Sequence, residues 1–162
     1  MRAYTYIKTL GQDGLKSVSE NAILNANYLL VHLKQHFKPF INESCMHECV
    51  LSPTEYAKSG IKTLDIVKRL LDYGFYAPTV YFPLIVPEAM MVEPTETESK
   101  KNLDDFVKAM KAIIEEIKTN PAMVRLAPHS TPVRRLDEVT AARNPILRWR
   151  PDLSHSGGNG QK

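Results

Sequence analysis

Most of what the sequence says first is said by what it has little of. Two cysteines in 162 residues, Cys45 and Cys49, exclude a disulfide scaffold. They flank His47, but no fourth ligand stands nearby, so a Cys-His-Cys metal site is not expected. The longest apolar stretch, around Phe82 to Val86, is far too short to span a membrane. The opening Met1-Arg2-Ala3-Tyr4 has no apolar signal-peptide core, which reads as a cytoplasmic protein. The only glycine cluster lies after Ser156; it follows no strand and opens no helix, so it is not a phosphate cradle. A net charge of +3 is too small to imply nucleic acid, and the late arginines (Arg125, Arg134, Arg135, Arg143, Arg148, Arg150) lack interleaved aromatics for stacking bases. They read either as solvated side chains pairing with Asp137 and Glu138 or as a docking surface.

What is present is a globular composition, 43% hydrophobic and 24% charged, in a length that fits one domain. Leu15, Val18, Ala22, Ala26, Leu29, Leu30 and Leu33 recur at helical spacing, which predicts a helix from about Gly14 to His36, stopped by Pro39. Tyr4 to Leu10 reads as a separate helix, with Gly11 and Gly14 as the break. Glu48 to Ser52 reads as a strand ended by Pro53. Thr63 to Tyr73 reads as a helix capped by Thr63 and closed by Gly74. Two extended runs follow, Thr79 to Val86 and Met90 to Glu93, with Pro83 placing the first at an edge or a bulge. The clearest element is a helix from Glu98 to Thr119, whose stripe runs Leu103, Phe106, Val107, Met110, Ile113, Ile114, Ile117. Thr97 is its expected cap and Pro121 its end. Beyond it a short helix, Leu136 to Arg143, is expected within otherwise extended chain. The order helix, strand, helix, strand, strand, helix predicts an α+β domain: a short, mainly antiparallel sheet covered on one face by helices.

Several blocks carry a resemblance. Arg2-Ala3-Tyr4-Thr5-Tyr6-Ile7-Lys8-Thr9-Leu10-Gly11, Val18 to Leu29, Cys45-Met46-His47-Glu48 with Val50-Leu51-Ser52, and Leu70 to Phe75 continuing through Pro78 to Leu84 and Val92 to Glu98 occur in this order. Pro128-His129, Thr131-Pro132-Val133, Arg135 to Val139 and Leu147-Arg148-Trp149 close the set. Together they resemble the C-terminal part of the second subunit of the P-protein family, the glycine dehydrogenases (decarboxylating) of the glycine cleavage system. Tyr76 stands where a histidine is common in that family, and Cys49 where phenylalanine is usual.

The resemblance implies the small C-terminal domain of a fold type I, aminotransferase-like pyridoxal-phosphate enzyme. It would span residues 1–149, followed by a disordered tail, 150–162. The family decarboxylates glycine on pyridoxal phosphate and passes the aminomethyl group to the lipoyl group of H-protein. Its chemistry needs a Schiff-base lysine, in a His-Lys-Thr setting before a glycine-rich stretch. Lys8-Thr9, Lys62-Thr63 and Lys118-Thr119 have neither the histidine nor the glycines. No catalytic residue is therefore assigned, no cofactor is expected on this chain alone, and Met1 reads as a truncation or internal start.

The implied partners are an upstream pyridoxal-phosphate domain, P-protein subunit 1 and lipoylated H-protein. Apolar surface left without the upstream domain should make the isolated chain self-associate. His47 and Glu48, before a strand, and Glu93 and Thr95, after one, are the substrate-cleft candidates. His47 could equally satisfy a buried neighbour, and the acidic residues could simply serve strand exit and helix capping. His129 reads as a surface or interdomain contact, and His32 and His36 as solvated. The competing reading is a non-catalytic α+β module that binds a partner protein.

Overall fold

Periodicity and backbone exceptions together set the architecture in the computed structural model, which describes residues 1–148. Helix α1 (Arg2–Leu33) is bent at Gly11, whose φ of 64° and ψ of −171° leave the helical region at a point where a side chain would be strained. The break expected between two helices is thus real, but Gly14 does not share it. Gly14 is helical, and a Cβ there would lie 2.9 Å from that of Leu10. His36 lies past the end of α1, with its carbonyl accepting from the Tyr56 hydroxyl at 2.9 Å. His32 is half-buried, its ring 4.5 Å from that of Tyr28.

Strand β1 (Lys38–Pro39) follows, where the sequence reading placed only a helix stop. Strand β2 (Cys49–Ser52) leads into a 3-10 helix (Thr54–Ser59) and then α2 (Thr63–Asp72). The cap of α2 is Lys62 rather than Thr63: the Lys62 N–H donates to the Asp65 carboxylate at 2.8 Å. Thr63 is wholly buried; its hydroxyl donates to the Glu88 carbonyl at 2.6 Å and its N–H to the Glu88 carboxylate at 2.7 Å. Gly74, at φ 81°, supplies the left-handed exit expected there.

The run expected as a strand from Thr79 to Val86 pairs only over β3 (Thr79–Val80). Tyr81, at φ 58°, turns the chain out of the sheet before Pro83. The loop returns through Glu88, at φ 52°, into β4 (Met90–Val92). Helix α3 (Lys100–Thr119) is capped by Ser99, whose hydroxyl accepts from the Asn102 N–H at 3.1 Å. The expected cap, Thr97, instead shares a hydrogen bond with the Thr95 hydroxyl at 2.8 Å. Pro121 opens a short helix, α4 (Pro121–Arg125), as well as closing α3. Helix α5 (Glu138–Arg143) is capped by Asp137.

The strands form one antiparallel sheet in the order β1-β2-β4-β3. Cys49 faces Val92 and Leu51 faces Met90 across β2 and β4, and all four side chains are buried. Val50 and Met91, one residue out of phase, lie on the less covered face. The buried face packs on Leu29, Leu30 and Leu33 of α1, on Ile66, Val67 and Leu70 of α2, and on the unbroken stripe of α3. The α+β expectation, a short antiparallel sheet covered by helices, is the observed fold. The upstream half of the α1 stripe differs: Leu15, Val18 and Ala22 are only half-buried.

Two carboxylates tie down the chain that follows α4. Asp72 accepts from the His129 N–H (2.6 Å), the Ser130 N–H (2.7 Å) and the Ser130 hydroxyl (2.8 Å). Arg69 grips it at 2.8 Å and holds Glu116 with two parallel bonds of 2.8 Å. Asp65 accepts from Arg135 at 2.8 Å, and Arg135 also donates to the carbonyls of Ala127 and Arg125. His129 is therefore a structural contact of α2, and its ring shares a further hydrogen bond with the Met123 carbonyl at 2.7 Å. The expected tail, 150–162, and Trp149 lie outside the described residues. Among the described residues no helix is long and apolar enough to cross a membrane.

Candidate functional site

The end of the β2–β4 pair gathers three of the four candidate residues. Cys49 pairs with Val92, so His47 and Glu48, just before β2, arrive beside Glu93, just after β4. The His47 Nε2 lies 3.9 Å from a carboxylate oxygen of Glu48 and 3.9 Å from one of Glu93. These are loose polar contacts, too long to be hydrogen bonds. The histidine side chain is 56% exposed and Glu93 59%, so each keeps a solvated edge free for another molecule. His47 therefore does not serve a buried neighbour. Thr95 stands apart from this trio, on the loop that leads to α3, with its hydroxyl committed to Thr97.

Both loops are fastened to α1 by asparagines. The Asn27 side-chain amide donates to the Cys45 carbonyl at 2.7 Å, and its oxygen accepts from the Cys45 N–H at 2.9 Å. That bidentate grip falls two residues before His47. Asn25 donates to the Thr95 carbonyl at 2.8 Å, two residues after Glu93. The sequence reading passed over both asparagines. Asparagine is a poor interior helix residue, and two of them inside an apolar stripe were the available signal.

A cleft of about 380 Å³ opens beside these residues. Its floor is Leu29, Leu103, Phe75 and Phe106, the two phenylalanine rings meeting edge to face at 5.3 Å. Glu93, Thr95, Glu98 and Asn102 bring its polar groups, and Tyr76, 95% exposed, stands on its rim. Of the candidates, Glu93 and Thr95 line this cleft, while His47 and Glu48 stand next to it. The sequence reading missed Phe75 and Asn102; it noted Tyr76 only as a departure from the family.

The cysteines fit no reactive role. Burial pushes the Cys49 thiol up to about 12, and the nearby Cys45 adds to the shift. Burial also raises the Cys45 thiol. Among the described residues no three His, Cys, Asp or Glu side chains converge as metal ligands. The cleft lining contains two carboxylates and no lysine, arginine or histidine. It therefore suits neither a phosphate group nor an aldehyde that must be held as a Schiff base, and these residues do not fit pyridoxal phosphate.

Comparison with known proteins places these features in context. A family model described as glycine dehydrogenase, C-terminal domain, matches residues 18–131. A probable glycine dehydrogenase (decarboxylating) subunit 2 of Desulforamulus reducens is 58% identical over 153 residues, which take in 94% of this chain and 32% of that protein. One of Caldanaerobacter subterraneus subsp. tengcongensis is 55% identical over 149 residues, 92% of this chain and 31% of that protein. The chain spans about a third of the length of the curated relatives it matches. A crystal structure of glycine decarboxylase (P-protein) of the glycine cleavage system, in inhibitor-bound form, superposes with a TM-score of 0.58 at 20% identity. That match covers 67% of this chain and 24% of the other, and it shows a shared fold.

Proposed function

The chain belongs to the family of glycine dehydrogenase C-terminal domains, and from that membership we propose that it is the small domain of a glycine-decarboxylating enzyme, inactive alone, that forms one wall of the substrate cleft. The observation that carries this reading is the meeting of His47, Glu48 and Glu93 at one end of the β2–β4 pair, beside a cleft with no lysine in its lining. A solvated histidine flanked by two carboxylates can orient a polar ligand and can take up or release a proton at its Nε2. It cannot supply an electron sink. In this reading the pyridoxal phosphate, its lysine and its phosphate cradle belong to the rest of the enzyme. The complete enzyme splits carbon dioxide from glycine and transfers the aminomethyl group to the lipoyl group of an H-protein, with subunit 1 as a further partner.

Apolar side chains left in solvent support the same reading. Tyr76 is 95% exposed, Leu84 87% and Ile85 77%. Surfaces of this kind are covered in working assemblies. Exposed apolar surface of this kind makes the isolated chain self-associate. It also leaves room for the second reading, a binding module with no part in catalysis.

Mixing decides between the two. The chain alone, given pyridoxal phosphate, should show no Schiff-base absorbance and trap no cofactor with borohydride. Combined with a polypeptide carrying the rest of the subunit, it should restore aminomethyl transfer from glycine to H-protein. In that complemented enzyme His47→Ala and Glu93→Gln should each lower kcat/KM by about tenfold or more, a value typical for positioning groups. A stoichiometric borohydride adduct on the chain alone would overturn the reading. Full activity of both variants would remove His47 and Glu93 from the substrate cleft, and failure of the mixture to restore aminomethyl transfer would leave the binding module.

A further inference from the structure

Beyond Arg135 the chain becomes an arm. Among the described residues Arg135 is the last tied to the body, through Asp65 and the Ala127 and Arg125 carbonyls. Every residue from Leu136 to Arg148 is exposed, and α5 contributes no buried side chain. Yet the arm is not polar: Leu136 is 63% exposed, Val139 60%, Ile146 72% and Leu147 87%. Two adjacent large aliphatic side chains at its far end, Ile146 and Leu147, are bracketed by Arg143 and Arg148. An arm that presents apolar groups between cations requires a receptor with an apolar floor and an acidic rim.

The body carries one. The Phe75–Phe106 cleft has an aliphatic and aromatic floor and no cation in its lining. Its charges are the carboxylates of Glu93, which is 59% exposed, and Glu98. One Glu98 oxygen accepts from the Asn102 side chain at 3.0 Å, and the second has no hydrogen-bond partner among the described residues. The cleft's volume of about 380 Å³ suits a few side chains of an extended segment. A helix, about 10 Å across, does not enter it, so the exposed apolar first turns of α1 are the wrong shape, and the exposed loop Phe82 to Ile85 carries no cation to meet the two carboxylates. The tip of the arm after Arg143 has no regular secondary structure and is the right one.

We propose that two copies of this chain pair by exchanging arms: Ile146 and Leu147 of each copy lie on the Phe75–Phe106 floor of the other, with Arg143 and Arg148 against Glu93 and Glu98. Reciprocal exchange closes the pair, uses the same two surfaces twice, and needs no rearrangement of either core. It rests on the self-association put forward above and names the surfaces that make it. The rim of Glu93 then serves two roles, and in an assembly holding the rest of the enzyme the arm and substrate compete for the same cleft mouth.

Charge exchange tests the pairing. Sedimentation velocity would be run on the 162-residue chain and on two double variants, Glu93→Lys with Glu98→Lys and Arg143→Glu with Arg148→Glu. All four positions are exposed, and thermal melts would check that folding is intact. The unaltered chain should dimerise with rising concentration. Each double variant alone should dimerise at least about tenfold more weakly, since every arm then meets a cleft of its own sign. The two mixed in equal amounts should regain pairing, because both arm–cleft contacts become complementary again. If both variants dimerise like the unaltered chain, another surface mediates association and arm exchange is wrong while self-association stands. A chain that remains monomeric at high concentration removes both.

Discussion

Asn27 holds the backbone of Cys45 by both ends of its amide, donating to the carbonyl at 2.7 Å and accepting from the N–H at 2.9 Å. One helix side chain thereby replaces a strand partner for the loop that carries His47 and Glu48. Asn27→Ala should destabilise the chain by about 2 kcal/mol, two hydrogen bonds to a half-buried backbone at roughly 1 kcal/mol each. Denaturant melts give the loss. Hydrogen exchange should show faster exchange at the Cys45 amide with α3 unaffected; uniform loss of protection across the domain would contradict a local clamp.

Acid should loosen the chain after α4 before it unfolds the core. Burial alone would raise the Asp72 carboxyl, but the Ser130 N–H, Arg69, the Ser130 hydroxyl and the His129 N–H outweigh it and hold the group far below the usual carboxylate range. Hydrogen bonds from Arg69 lower Glu116 in the same way. A depressed folded-state pKa adds stability that is complete above the unfolded value of about 4 and is lost as pH falls through the folded value. Stability should therefore be flat near neutrality and decline below about pH 4. Asp72→Asn should lower stability at pH 7 and flatten that decline; an unchanged pH profile in the variant would exclude Asp72 as a source.

Alkylation should separate the two cysteines. With its thiol pushed up to about 12 and its side chain 1% exposed, Cys49 should resist iodoacetamide at neutral pH until the chain unfolds. Cys45 is half-buried and should react first, though more slowly than a free thiol because its own pKa is raised. Peptide mass spectrometry reads the order directly, and equal labelling of both in the folded chain would contradict the buried placement of Cys49.

Core and rim substitutions should differ sharply in cost. Leu51 is fully buried at the centre of the sheet, and Leu51→Ala should cost about 2–5 kcal/mol. Tyr76→Ala, at a position 95% exposed, should change stability by less than about 0.5 kcal/mol. A large loss at Tyr76 would mean that its ring is covered in solution.

The helices were legible because their signal is local. Every residue of the α3 stripe from Leu103 to Ile117 is buried as its spacing indicates. Caps were less legible, since Thr97 and Ser99 are both good capping residues and the choice of Ser99 depends on where the loop from β4 enters. The strand ending at Val80 was overestimated because Phe82, Leu84 and Ile85 have strand-like composition, but they face solvent and have no partner strand among the described residues. Propensity for extended backbone does not create a partner.

By itself the sequence determined the α+β class, the helical faces, the kink at Gly11 and the resemblance to the glycine dehydrogenase family, because periodicity, backbone freedom and motif order are properties of the chain alone. Only the tertiary structure decided that His47, Glu48 and Glu93 meet. Their meeting depends on the antiparallel register that sets Cys49 opposite Val92 across 43 positions of sequence, and on two asparagine clamps from α1. Register is a property of two strands at once, so no local pattern in either one states it.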